Sequence, residues 1–582
     1  MPARPRLNLK PLSGMHSSSI STTVALTGVL PFVVLLAAAL AFPLCLWLLR
    51  LYRRSVLKAM SLATGEVASA AASAAAPHAP LPPANVQTLT RTSPLELGSL
   101  DRSDYRQAAL GLWQAGAVYA VAGLAYALVM TAGWLLATHD ATIVWTKLLL
   151  LCWTYLWPAV LSVLLVAAYD GRRRRLLLWV YFGAFAAMAT VAVARNPDLG
   201  VGDLPLYWLL MNAPSSVLLL AFLARGIRAV GPVVLAFLLL AVMGSQVVLS
   251  VAAADEAILR GFVQLGSLVG LGARGIFVGM ILLGMLLFAA IAWPVLRWVG
   301  RRYQQKKLSD QSITLDSLWL LFAVVQSIGL AFEAPAWVLT GIVAFAGYKA
   351  VSALGFRLLA RAVRAKPARV LLLLRVFALG ERSERLFDKL RKHWQRVGSI
   401  SMIAGPDLVT TTVEPHEFLD FLSGRLSRHF VQDRADLDRR IAAMDRSRDP
   451  DGRYRVNEFF CRASTWQMTM QRLASASDAV LMDLRSFSQA NQGCIFELER
   501  LLDAVDLDHV VFLIDDTTQR SFLESTLQQL WQQMGPESPN RQPGASQVRL
   551  FRIREQSEPE LRVLLQLLLG AMPADQVNLD NS

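Results

Sequence analysis

Residues 473–502 read LASASDAVLMDLRSFSQANQGCIFELERLL. The aliphatic run 479–484 ends in Asp483, Arg485 and Ser486. A polar turn over 488–492 follows, and Gly493 opens an amphipathic stretch carrying Glu497. A short apolar run that gives way through a turn to helical periodicity is a strand feeding a helix. The same alternation extends to both sides. Strand runs fall at 370–377, 400–404, 510–514 and 548–553, and helical runs at 383–397, 415–430, 435–444, 465–476, 518–533 and 558–569. Strands alternating with helices predict a parallel, flavodoxin-like sheet covered on both faces over 368–582. Ligands of such sheets bind beyond the carboxyl ends of the strands, where Asp483, Arg485 and Glu497 gather.

The rest of the chain has a different character. Of 582 residues, 54% are hydrophobic and 17% charged, with a mean hydropathy of +0.42. Soluble domains sit near roughly 45–50% and 25%. Composition therefore excludes a purely soluble enzyme and a disordered scaffold. A spanning helix needs about 20 mostly apolar residues. Nine runs qualify: 23–49, 108–137, 143–168, 176–194, 204–224, 230–253, 275–296, 315–332 and 336–356.

The expected layout is a tail (1–22), a first membrane helix (23–50), a flexible Ala/Ser/Pro-rich linker (51–107), a bundle (108–357), a basic connection (358–367) and the α/β domain. Every other connection is basic, with Arg50, Arg172 to Arg175, Arg225, Arg297 and Arg357 among its residues. This places the linker and the α/β domain in the cytoplasm and the N-terminus outside. The net charge of +14 thus reports membrane orientation, and no nucleic-acid partner is expected. A lipid bilayer is the expected partner.

Several motifs carry blander readings. Gly270, Gly272 and Gly275 form a G-x-G-x-x-G without a preceding strand, so close helix packing through Gly266/Gly270 and Gly275/Gly279 is expected instead. His416-Glu417 is followed by Asp420 where a zinc helix has its second His, and no metal site is expected. Cys45, Cys152, Cys461 and Cys494 form no C-x-x-C pair. Arg274, Glu333 and Lys349, with Gln246, Gln264 and Gln326, are the polar residues that a transport path would use.

A carboxylate at the carboxyl end of the 479–484 strand can bond sugar hydroxyls or stabilise an oxocarbenium ion as a glycosidic bond breaks. The competing reading is an acid favoured near a helix N-terminus by the helix dipole. Arg375 and Arg485 can hold phosphates bidentately, or pair with Asp483 and Glu497. Phe377 and Trp466 can stack on a base, or belong to the core.

The S-D-A-V-L-M-D-L run followed by G-C-I-F-E-L resembles the Toll/interleukin receptor (TIR) domain family. There a strand leads through a polar turn into a Cys-x-x-Glu-Leu helix start, matched here by Cys494, Glu497 and Leu498. The resemblance implies that Glu497 is the catalytic residue of an NAD glycohydrolase, with NAD as substrate and no cofactor. It also implies that 370–377 and the turn 378–383 border a nucleotide pocket, and that self-association activates the protein. The same element is similar to that of nucleoside deoxyribosyltransferases, whose glutamate is a nucleophile. Both families cleave N-glycosidic bonds. The expected function is stress or defence signalling at a bacterial inner membrane by a homo-oligomer. The alternatives are a non-catalytic docking or nucleotide-sensing module and a transporter with a regulatory domain.

Overall fold

A computed structural model describes residues 41–60, 83–90, 102–138, 145–167, 171–196, 199–222, 230–331, 333, 335–362, 368–375, 381–404, 415–541 and 547–570. The chain divides into two compact units. One comprises Met1–Trp47, Val118–Arg302 and Asp310–Leu354, and the other Leu48–Ala117, Tyr303–Ser309 and Gly355–Ser582.

The first unit is helical. Among the described residues, six helices are long and apolar enough to cross a membrane: Leu110–Ala137, Trp145–Val166, Gly171–Arg195, Ala273–Gln304, Asp310–Leu330 and Leu339–Arg361. They coincide with six of the nine expected runs. The runs at 204–224 and 230–253 form the helices Asp203–Phe222 and Gly231–Ala254, which are not among those six. Most of the run 23–49 lies outside the described residues, whereas 41–60 is helical. The run 143–168 is interrupted at Leu156, where Pro158 opens a second segment, Trp157–Val166; a proline has no N–H for the preceding turn. Trp179 is 76% exposed and Leu286 69%, apolar surface of the kind a bilayer covers.

Polar groups inside this unit satisfy one another. Tyr126 Oη donates to Gln326 Oε1 (2.8 Å), Gln326 Nε2 to Asn212 Oδ1 (2.9 Å), and Asn212 Nδ2 to the Thr154 carbonyl (3.2 Å). Such bonds tie helices together where no water is at hand. Gln326 is therefore packing glue, and Lys349 pairs with Asp316. Arg274, Glu333 and Gln264 are exposed, and the Gln246 side chain lies outside the described residues. Of the glycines expected to pack closely, Gly266 touches Ile276, but Gly279 faces open space.

The second unit carries a seven-stranded parallel sheet: β1 (Val86–Leu89), β2 (Arg369–Arg375), β3 (Gly398–Ile403), β4 (Val456–Phe459), β5 (Ala479–Asp483), β6 (Val510–Ile514) and β7 (Val548–Arg552). Their order is β1-β7-β6-β5-β2-β3-β4. The five central strands are buried on both faces, as expected of parallel strands. One core cluster joins Leu372, Met482 and Phe512 to helices Trp466–Ser475, Gln492–Ala504 and Arg520–Gln532. The other joins Leu371, Leu481 and Leu513 to helices Glu381–Trp394 and Glu558–Gly570. From β2 the chain crosses one face to β3, while from β5 it crosses the other to β6 and β7. The strand order reverses between β2 and β5, the switch point beyond whose strand ends ligands of such sheets bind.

The expected linker over 51–107 needs correcting. Its residues Val86–Leu89 form the edge strand β1, in register with Val548–Phe551. Gln528 grips the backbone of Ala84, accepting from its N–H (3.0 Å) and donating to its carbonyl (3.2 Å). Leu89 is buried in the core. Four residues after a proline-rich run are too few to display alternation, so the strand was illegible. Leu89→Ala is expected to cost about 2–4 kcal/mol, as core leucines do, against under about 0.5 for a true linker residue. Urea unfolding of the full chain, followed by tryptophan fluorescence, measures the difference.

Candidate functional site

The candidate site is built from strand ends. Arg375 closes β2 and Asp483 closes β5, and the two are direct partners across the ladder. Two residues on, Arg485 folds back onto Asp483: Nε donates to Oδ1 (2.8 Å) and Nη2 to Oδ2 (2.6 Å). Both side chains are buried. A bidentate pair of this kind engages one edge of the guanidinium, Nε and Nη2. Of the two roles left open for Arg485, the geometry supplies the ion pair with Asp483.

The turn that follows is closed by Asn491, whose Oδ1 accepts from Ser488 N (2.9 Å) and Oγ (3.1 Å). Helix Gln492–Ala504 then turns Cys494, Glu497, Leu498, Leu501 and Leu502 inward. Glu497 thus occupies a core position of an apolar stripe, 2% exposed. It stands in the second turn, beyond the reach of the dipole effect that favours acids at helix starts. Its Oε2 has no hydrogen-bond partner among the described residues. Burial pushes its pKa up to about 8, against the opposing pull of the Arg375 guanidinium. Burial also raises the Cys494 thiol, helped by Glu497, so this cysteine is a poor nucleophile.

Trp466 packs edge-on against Phe496, with ring centroids 5.3 Å apart, on the helix that carries Glu497. Phe377 lies outside the described residues. The structure therefore brings together Arg375, Asp483, Arg485 and Glu497 at the strand ends, with Trp466 against the helix start.

Ser486, named in sequence only as an end of the strand run, was assigned no role there. Its φ of 58° is left-handed, uncommon for a residue with a Cβ. Its N–H (3.1 Å) and Oγ (2.8 Å) both meet Thr517 Oγ1, which joins the loops after β5 and β6. Backbone strain of this sort leaves no mark in composition. No family model, curated protein or solved structure matches this chain.

Among the described residues no group of three or more His, Cys, Asp or Glu is arranged to hold a metal ion. At the His416-Glu417 motif, Glu417 is buried, and Asp420 bonds His429 Nε2 (3.1 Å) and Arg425 Nη2 (2.9 Å).

The displaced pKa of Glu497 has a measurable consequence. Between about 4.5 and about 8 the folded protein keeps this proton while the unfolded chain has lost it. Stability therefore falls as pH rises through that window, by at most about 1.4 kcal/mol per pH unit from this group. Glu497→Gln removes the contribution. Denaturation of both proteins at pH 6 and pH 8 is expected to show a steeper loss in the wild type.

Proposed function

We propose that this chain is a membrane-anchored signalling or defence protein whose α/β unit hydrolyses the N-glycosidic bond of NAD or a related nucleotide. The observation that carries the proposal is Glu497: a carboxyl buried in an apolar stripe, with an oxygen left unbonded, at the sheet's switch point. Natural sequences break their own patterning chiefly where function demands it.

In this reading the ribose C1′–N bond breaks with its electron pair passing to the pyridinium nitrogen, and nicotinamide leaves neutral. The Glu497 carboxylate faces the oxocarbenium centre, water adds at C1′, and its proton passes to solvent. Arg375 faces the diphosphate, and Trp466 walls the site near the base. The cationic pyridinium itself favours the ionised carboxylate when it enters the site. The homo-oligomeric state, the bacterial inner membrane, the outside N-terminus and the cytoplasmic α/β unit belong to the same proposal.

The pH dependence tests the role of Glu497. Nicotinamide release by the full-length protein at sub-saturating NAD is expected to rise from pH 6 to pH 8 as the free enzyme's Glu497 ionises. A rate that falls over this range contradicts the carboxylate role. A second reading, nucleotide sensing without turnover, is favoured by the internal Asp483–Arg485 pair, which suits a rigid binding floor. It predicts nucleotide binding with no nicotinamide release at any pH.

A further inference from the structure

We infer that helix Glu256–Leu268 lies in the plane of the membrane surface, with its apolar flanks seated in the acyl boundary of a lipid monolayer. The inference rests on both flanking helices crossing the bilayer: Ala273–Gln304 is one of the six candidate spans, and Gly231–Ala254, 24 residues without a charge, is about 36 Å long. These two meet at Gly244 and Gly284, where a Cβ on Gly244 would sit 2.3 Å from the Gly284 carbonyl oxygen. Gly244 lies ten residues before Ala254 and Gly284 eleven after Ala273, so the helices run antiparallel. Residues 255–272 therefore leave and return at the same membrane face.

Thirteen residues rise about 20 Å, short of the roughly 30 Å hydrocarbon core. The helix cannot cross. Arg274 and Arg297 stand 23 residues, about 35 Å, apart on the next helix, which puts Arg274 at the boundary to which the chain returns.

The faces of the short helix are sharply divided. Glu256, Arg260, Gln264 and Ser267 share one side, with Arg260 Nη2 3.2 Å from Glu256 Oε2. Asp255 caps the start, accepting from Ala257 N at 2.8 Å. On the opposite side Phe262 packs against Leu249, Ala252 and Met280, and Gly266 lies against Ile276. To either side of that contact Ile258, Leu259, Val263 and Leu265 remain exposed, Leu265 by 65%.

On the next helix Leu282 and Leu286 are exposed apolar residues as well. A divided helix pinned at its middle, apolar on both shoulders and polar on top, matches a helix bedded at the headgroup level. Because Phe262 and Gly266 fix it to both neighbours, the state of that monolayer bears directly on the bundle.

Spin labels on the full-length protein in lipid nanodiscs test this, attached one at a time after Ile258→Cys, Leu265→Cys, Arg260→Cys, Gln264→Cys and Leu286→Cys. Oxygen collisions are expected to exceed those of a nickel chelate at 258 and 265, with the order reversed at 260 and 264. Chelate preference at 258 and 265 overturns the inference while oxygen preference at 286 leaves the membrane-crossing helix intact. Chelate preference at 286 as well removes the foundation too. Dipolar broadening between copies at 258 and 265, with neither collider reaching them, assigns the flanks to a second copy and also overturns it.

Discussion

Replacing Arg455 with alanine is expected to lower the stability of the α/β unit by about 3–5 kcal/mol, the usual cost of stripping one partner from a buried ion pair. Arg455 Nε lies 3.0 Å from both oxygens of Asp449, and Nη2 donates to the carbonyls of Tyr303 (2.6 Å) and Leu308 (3.0 Å). The guanidinium also sits 3.9 Å from the Tyr303 ring centroid. Nearby, Ser309 Oγ donates to Asp451 Oδ2 (2.7 Å), and Lys306 pairs with Asp445. Burial already raises the Asp449 carboxyl despite Arg455, so removing the guanidinium leaves an acid with no good state to occupy. For a unit of this size the loss corresponds to a melting point lower by about 10 °C. Thermal unfolding of the full chain in nanodiscs measures it. Arg455→Met combined with Asp449→Leu is expected to recover most of the loss, because replacing both partners abandons no charge. A shift of under about 2 °C for the single variant contradicts this account.

The Arg455 network also gives the long segment between β3 and β4 a purpose. Residues 404–455 are more than a strand-to-strand crossover requires, and nothing in their composition says why. Their far end, 445–455, grips Tyr303–Ser309, the connection between helices Ala273–Gln304 and Asp310–Ala331. From sequence that connection is merely a basic loop. Charges that end in buried pairs and charges that stay in water are the same letters.

Legibility followed burial. Strands β2, β3, β5, β6 and β7 announced themselves because parallel strands covered on both faces are nearly continuous apolar runs. Strands β1 and β4 did not, since VQTL and VNEF are four-residue edge strands with only part of their side chains buried. Glu497 was legible as part of a strand–turn–helix element, whereas its place among inward-facing apolar positions emerged only from the structure. The pairing of Arg485 with Asp483 was one of two open alternatives, because spacing alone cannot say which acid an arginine folds onto. The left-handed Ser486 was invisible, being a backbone conformation rather than a residue preference.

The largest functional effect is expected at Glu497. Removing a positioned catalytic group costs about 10²–10⁴-fold in rate, and glutamine keeps the shape of the side chain while losing its charge. A buried neutral amide is also easier to accommodate than an uncompensated carboxylate. Glu497→Gln should therefore fold at least as well as the wild type at pH 8, which separates lost chemistry from lost structure. Arg375→Gln is expected to weaken NAD binding while sparing much of the turnover rate, and KM and kcat measured separately distinguish the two roles.

The most direct measurement is nicotinamide release from NAD by the full-length protein assembled in bilayers, run beside its Glu497→Gln counterpart at matched folded concentration. Release by the wild type, with a loss of at least about 100-fold in the variant, is the predicted result. Equal release by both proteins, or none from a wild type that is folded and assembled, contradicts the assignment of Glu497 as the catalytic carboxylate.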